Sequence, residues 1–147
     1  MTAKEYLSQA YYVDKRIQSK LIQVESLRDL ANKVTPTSGT EHVSGSRSVH
    51  RMEETIDNII DLENDINAEV DRLIDLKREI MANINKVHNH NYMTLLELRY
   101  LSFMSWDKVA KEMNFTSRWI HILHSKALLA MDKILTGGKN HENHLQT

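Results

Sequence analysis

Between residues 52 and 87 apolar side chains return in strict alternating steps of four and three. The positions are Met52, Ile56, Ile59, Glu63, Ile66, Val70, Leu73, Lys77, Ile80, Ile84 and Val87, and nine of these eleven are apolar. A repeat of that period cannot lie on one face of a strand, whose faces alternate every second residue. On a helix it draws one narrow seam of the coiled-coil type. Residues 51 to 88 therefore predict a single helix, about 55 Å long at 1.5 Å per residue. Ile60, Leu62, Ile74, Leu76 and Met81 widen the seam, which predicts more than one neighbour. Glu63 and Lys77 interrupt it. Polar residues at seam positions cost stability and set register and strand number, so both are read as partner-specifying interaction residues.

A seam needs something to pack against. Residues 3 to 34 supply a second one through Tyr6, Ala10, Val13, Ile17, Leu21, Val24, Leu27, Ala31 and Val34, thickened by Tyr11 and Tyr12. The two helices suit an antiparallel hairpin, and the second also suits pairing with a second copy. Both together give a four-helix arrangement. Residues 35 to 50, TPTSGTEHVSGSRSVH, hold the only Pro and two of the four Gly and read as a linker. Residues 88 to 92, HNHNY, connect the coil to the C-terminal part of the chain. His88 and His90 are read as linker residues, because a nuclease would spread such residues over strands that are not predicted here.

The stretch from 94 to 135 has a different grammar. Thr94, Ser105 and Thr116 each stand just before an apolar-periodic run, where a side-chain oxygen can accept from a first-turn amide. Met93, Met104 and Phe115 precede them, and Leu98, Val109 and Ile120 lie one turn inside, as hydrophobic staples require. Thr94 with Glu97 also fits a capping box. The result is three short helices. The last two are joined at Asn114-Phe115-Thr116, with Asn114 suited to the left-handed end of a helix. On the last helix Ile120, Leu123, Ala127, Met131 and Ile134 form the core face. Arg118, Ile122, Ser125 and Leu129 lie opposite, flanked by Trp119, His121 and Lys126. No acidic residue occurs from Ser117 to Met131, as suits a surface laid against phosphates.

Charge is partitioned although the net charge is only −1. Residues 1 to 34 carry six basic and four acidic residues, for +2. Residues 51 to 88 carry five and ten, for −5, and residues 93 to 135 carry six and four, for +2. The acidic helix repels nucleic acid and the C-terminal part does not. A charge of +2 predicts weak, salt-sensitive DNA binding by a monomer, so a dimer or a partner is expected.

The motif Ser105-Trp106-x-x-Val109-Ala110-x-x-Met113-x-Phe115-Thr116-x-x-x-Ile120-x-x-Leu123-His124-x-Lys126-Ala127-Leu128 resembles region 4 of the sigma-70 family of transcription factors. More narrowly, it is similar to phage-encoded regulators with a sigma-region-4-like C-terminus, including the ArpU-type late-gene regulators. The resemblance spans roughly residues 93 to 135. It implies a helix-turn-helix and a promoter-binding or polymerase-associated role in the cytoplasm of a bacterial host. The helix from Ser117 would enter the major groove and present Arg118, Trp119, His121, Ser125 and Lys126. The preceding helix would bring Lys108 and Lys111 to the backbone. Ile122 and Leu129 depart from a polar reading face. Ile122 suits a thymine methyl, and a protein partner covering Ile122 and Leu129 fits equally well; RNA polymerase or a sigma factor is the partner that the resemblance suggests.

Other functions find little support. There is no cysteine, hence no disulfide or thiolate chemistry. No apolar run is long enough for a membrane span. His121 and His124 share a helix with Ser117 and Ser125 but lack an orienting acid, so no catalytic residue is assigned. His124 beside the apolar face reads as a packing residue with one nitrogen satisfied. His141 and His144 have no carboxylate cluster near them, and no metal or other cofactor is expected. The sequence thus predicts an all-α chain in three parts: a helical coiled-coil hairpin over 1–92 with its linker at 35–50, a helix-turn-helix domain over 93–135, and a disordered tail over 136–147 that Gly137 opens.

Overall fold

A computed structural model describes the backbone of residues 1–34 and 45–144, and the side chains of residues 1–33 and 47–137. Helix α1 runs Ala3–Val34, α2 Gly45–Ile84, α3 His90–Leu96, α4 Trp106–Met113 and α5 Ser117–His144. A π-helical turn, Glu97–Leu101, continues α3. The described residues contain no strand, and the fold is all-α.

The chain divides into two compact units, residues 13–72 and a second built from residues 1–12 and 73–147. Composition changes near residue 92, but packing does not divide the chain there. The ends of both long helices belong with the C-terminal helices.

In the unit of residues 13–72, α1 and α2 run antiparallel. Glu69 receives Arg16 at 3.5 Å and Lys20 at 3.9 Å, and Glu63 receives Arg28 at 2.5 Å. The seam is thin. Val13, Ile17, Val24 and Ile66 are buried, but Leu21, Ile56 and Val70 of the predicted seams are exposed. Two helices side by side cover only one line of each other, so the edges of a wide apolar face remain in solvent. Glu63 pairs with Arg28 of α1 within the chain.

The other unit holds the core. Ala3, Leu7 and Ala10 of α1 and Ile80 and Ile84 of α2 form one cluster with Val87, Leu95, Leu96, Tyr100, Leu101, Val109, Ala110, Ile120, Leu123, Ala127 and Met131. A capping box starts α1: Thr2 Oγ1 accepts from Glu5 N at 3.2 Å, and Glu5 Oε2 accepts from Thr2 N at 3.1 Å. Ala3 N then donates to Asp132 Oδ1 of α5 at 3.1 Å. Lys77, the other polar seam residue, lies 4.6 Å over the Phe103 ring, so it too is engaged within the chain.

Several boundaries differ from the sequence expectation. Thr94 caps nothing, because Asn89 has already started the helix. Its Oδ1 accepts from Asn91 N at 2.9 Å and Tyr92 N at 3.2 Å, and Asn is among the best N-caps. The Thr94–Glu97 capping box is therefore absent, and Glu97 opens the π-helical turn. That wider turn lets Tyr100 and Leu101, adjacent in sequence, both reach the core. Within the predicted linker, residues 45–50 are the first turns of α2; residues 35–44 lie outside the described residues. The coil ends at Ile84 rather than 88, in a turn closed by Val87 N donating to Ile84 O at 2.9 Å. At the other end α5 continues through Gly137 and Gly138 to His144. Helical Gly costs about 1 kcal/mol relative to Ala but does not forbid a helix. The expected disorder over 136–147 is thus replaced by helix as far as residue 144, and residues 145–147 lie outside the description.

Candidate nucleic-acid interface

Two helices and a three-residue turn set the geometry here. Ser105 caps α4 by accepting from Lys108 N at 3.3 Å. Asn114 ends it with φ 57° and ψ 38°, and its N–H reaches Ala110 O and Lys111 O. Asn adopts this left-handed conformation at less cost than any other side-chain-bearing residue. Phe115 N donates back to Ala110 O at 3.0 Å. Thr116 Oγ1 then accepts from Trp119 N at 3.2 Å and starts α5. Two caps and one left-handed residue thus determine the direction in which α5 leaves α4.

Burial holds that direction. Val109 and Ala110 of α4 and Ile120, Leu123, Ala127 and Met131 of α5 are in the core, as the periodicity of the sequence requires. The opposite side of α5 is in solvent: Arg118, Trp119, His121, Ile122, Ser125, Lys126 and Leu129 are all exposed, as are Lys108 and Lys111 on α4. Lys126 Nζ sits 5.7 Å over the Trp119 ring, so these two sequence-predicted residues are neighbours. His121 is drawn toward α4, with its ring 5.4 Å from Trp106.

Beneath this face lies a polar cluster that sequence reading did not assemble. Tyr100 OH and His124 Nε2 are 2.7 Å apart. Burial, above all, pushes the Tyr100 hydroxyl up to about 12, against a small opposing effect of Arg99. Burial also pulls His124 down to about 4, and the nearby Lys4, Arg99 and His121 act in the same direction. Both groups are thereby held uncharged near neutral pH, so the hydrogen bond between them is made without charge. Trp106 packs edge-on against His124 at 4.4 Å. Arg99 lies 4.5 Å over the other part of this cluster, the Trp106 ring, while Nη1 donates to Met104 O at 2.8 Å. The reading of His124 as a packing residue with one nitrogen satisfied matches this geometry. Its partner was not foreseen, because Tyr100 is 24 residues away and reaches it only through the π-helical turn.

Next to the turn, Phe103 has φ 58°. A bulky residue in that region costs about 1–2 kcal/mol. The ring contacts of Phe103 with Lys77 and, at 5.8 Å, with Tyr11 offset that cost. Among the described residues no group of three His, Asp or Glu side chains is placed to hold a metal ion. The side chains of His141 and His144 lie outside the description. No described helix is long and apolar enough to cross a membrane.

No curated protein and no solved structure matches the chain. Residues 34–132, which contain α2, α3, α4 and every candidate interface residue, match the family described as "Protein of unknown function (DUF1492)". That match spans more than half of the sequence, and the chain belongs to this family.

Proposed function

We propose that the chain is a phage or prophage transcriptional regulator. It binds duplex DNA through α4 and α5 acting as a sigma-region-4-like helix-turn-helix, in the cytoplasm of a bacterial host. The observation that carries this reading is the exposed, acid-free face of α5. Arg118 and Lys126 stand on it, and Lys108 and Lys111 stand on the neighbouring helix. A major groove takes one α-helix, and flanking lysines then meet phosphates. Arg118, Trp119, His121, Ser125 and Lys126 face the groove. The long helices dimerise as a coiled coil or dock on a partner, which compensates for the small positive charge of the binding unit.

Binding of the purified chain to random-sequence and genomic duplex DNA over a range of salt concentrations tests this reading. Saturable binding that weakens with salt and enriches particular sequences is expected. Arg118→Ala combined with Lys126→Ala should lower affinity roughly tenfold or more, since each lost phosphate or base contact is worth about 1 kcal/mol or more. Unchanged affinity in a folded double variant removes α5 from the interface.

One observation favours a second reading. Ile122 is 39% and Leu129 63% exposed on the same helix, and apolar residues in solvent suit a protein partner. On that reading the unit engages RNA polymerase or a sigma factor without touching DNA. Absence of DNA binding at low salt, by a chain shown to be folded, would select it.

A further inference from the structure

A groove of about 560 Å³ opens between the α2–α3 turn and the second half of α5. Val87, Tyr92, Leu129 and Ile134 give it an apolar lining, and Lys86, Lys126 and Lys133 stand around it. No carboxylate lines it. Among the described residues none of the three lysines forms an ion pair. Lys86 Nζ donates to Asn83 Oδ1 at 3.1 Å, and Lys126 lies over Trp119. An apolar cleft ringed by unpaired cations fits an apolar side chain carried by an acidic segment. It does not fit a phosphate backbone, which has nothing to place against Val87, Leu129 and Ile134.

The same chain exposes such a segment. Residues 53–62 of α2 carry Glu53, Glu54, Asp57 and Asp61 with no Lys or Arg. None of these carboxylates forms an ion pair among the described residues. Ile56 and Ile60, one turn apart, are 45% and 48% exposed. At helical spacing the row Ile56–Ile60 runs beside the row Glu53–Asp57–Asp61. The groove and this segment are therefore complementary in both polarity and charge, and among the described residues neither has an ion-pair partner.

We propose that the groove binds residues 53–62 of α2 from a second copy of the chain. The isoleucines enter the apolar lining, and the carboxylates meet Lys86, Lys126 and Lys133. The proposal rests on the reading that the chain self-associates, and names the contact that joins the copies. If each copy gives its segment to the other, the pair closes as a dimer with twofold symmetry.

A charge swap in the full-length chain tests the proposal. One variant carries Lys86→Glu with Lys133→Glu, and leaves Lys126 and the rest of the DNA face intact. The other carries Glu53→Lys with Asp57→Lys. Sedimentation velocity should show self-association of the wild-type chain, weakened roughly tenfold in each variant alone and restored in the equimolar mixture. Restoration excludes misfolding as the cause of the loss. Raising the salt from about 0.05 M to about 0.5 M should weaken the wild-type contact several-fold. Because Arg118 and the α4 lysines are untouched in the Lys86→Glu, Lys133→Glu variant, any fall in its affinity for duplex DNA should follow its fall in association.

Undiminished association in both variants overturns the proposal and leaves pairing of the long helices as the source of the dimer. Failure of the mixture to recover also overturns it. A wild-type chain that stays monomeric overturns this contact and the dimer together, while the α4–α5 face is tested separately by the Arg118→Ala, Lys126→Ala variant. Loss of DNA affinity with unchanged association assigns the groove to nucleic acid instead.

Discussion

The unit of residues 13–72 and the unit around the C-terminal helices draw on the same two long helices and use them differently. In the first, each helix meets one neighbour. Four apolar residues are buried there among those described, and three ion pairs, ranging from half-buried to exposed, line the edge. In the second, α1 and α2 contribute only their ends, but those ends meet α3, the π-helical turn, α4 and α5 around one cluster of sixteen buried residues. An apolar seam stabilises in proportion to the area it removes from water, and one neighbour removes little. The lesson is that a strong repeat does not by itself make a strong core. The number of elements converging on it does.

The largest test of that contrast compares one truncation in each unit. Leu95, fully buried, should cost about 3 kcal/mol on replacement by Ala, within the usual range for cavity creation. Val24→Ala in the thin seam should cost only about 1 kcal/mol, because its surroundings can relax or hydrate. Urea unfolding followed by circular dichroism measures both. Equal losses would erase the distinction between the units.

A smaller effect comes from the Tyr100–His124 pair, which has no counterpart among the described residues of 13–72. His124 is held neutral, down to about 4, whereas in the unfolded chain it titrates near 6.5. The unfolded state therefore binds the extra proton, and stability rises with pH between about 4 and 6.5. Acidifying through that window should cost about 1–2 kcal/mol, after allowance for the partial exposure of the ring. His124→Gln, followed by thermal melts at several pH values, should flatten that slope. An unchanged slope would place the proton linkage elsewhere.

The smallest effect belongs to the edge of the thin seam. Arg28 and Glu63 are both largely exposed at 62% and 44% of their side chains, and exposed pairs contribute about 0–1 kcal/mol. A double-mutant cycle with Arg28→Ala and Glu63→Ala should return a coupling energy in that range, falling with salt. A coupling well above about 1 kcal/mol would mean that Glu63 contributes more to register than its exposure suggests.

Much of the candidate interface could be read from the chain because its determinants are local. Ser105 and Thr116 accept from amides three residues on, and Asn114 takes the left-handed conformation where the period of α4 breaks. The inward row from Ile120 to Met131 is buried, and the outward row from Arg118 to Leu129 is exposed. Each of these depends on neighbours within one helical turn. Reading failed where two local signals competed. Thr94 and Asn89 are both good caps, and nothing nearby decides between them. The choice falls to Leu95 and Leu96, whose burial requires the helix to be under way before Thr94. Gly137 and Gly138 misled in the opposite direction, since a stop signal is a preference of about 1 kcal/mol that a growing helix can override.

By itself the sequence determined that the chain is helical, where the last two helices begin, and which side of each turns inward. Periods, caps and charge runs act over three or four residues, and no other part of the molecule is needed to express them. Tertiary structure alone decided that α3 continues as a π-helical turn, that Tyr100 reaches His124, that Lys77 lies over Phe103, and that Lys86 and Lys133 share a groove with Leu129. Those pairings join residues far apart in the chain. Their free energy depends on burial that exists only once several helices have come together.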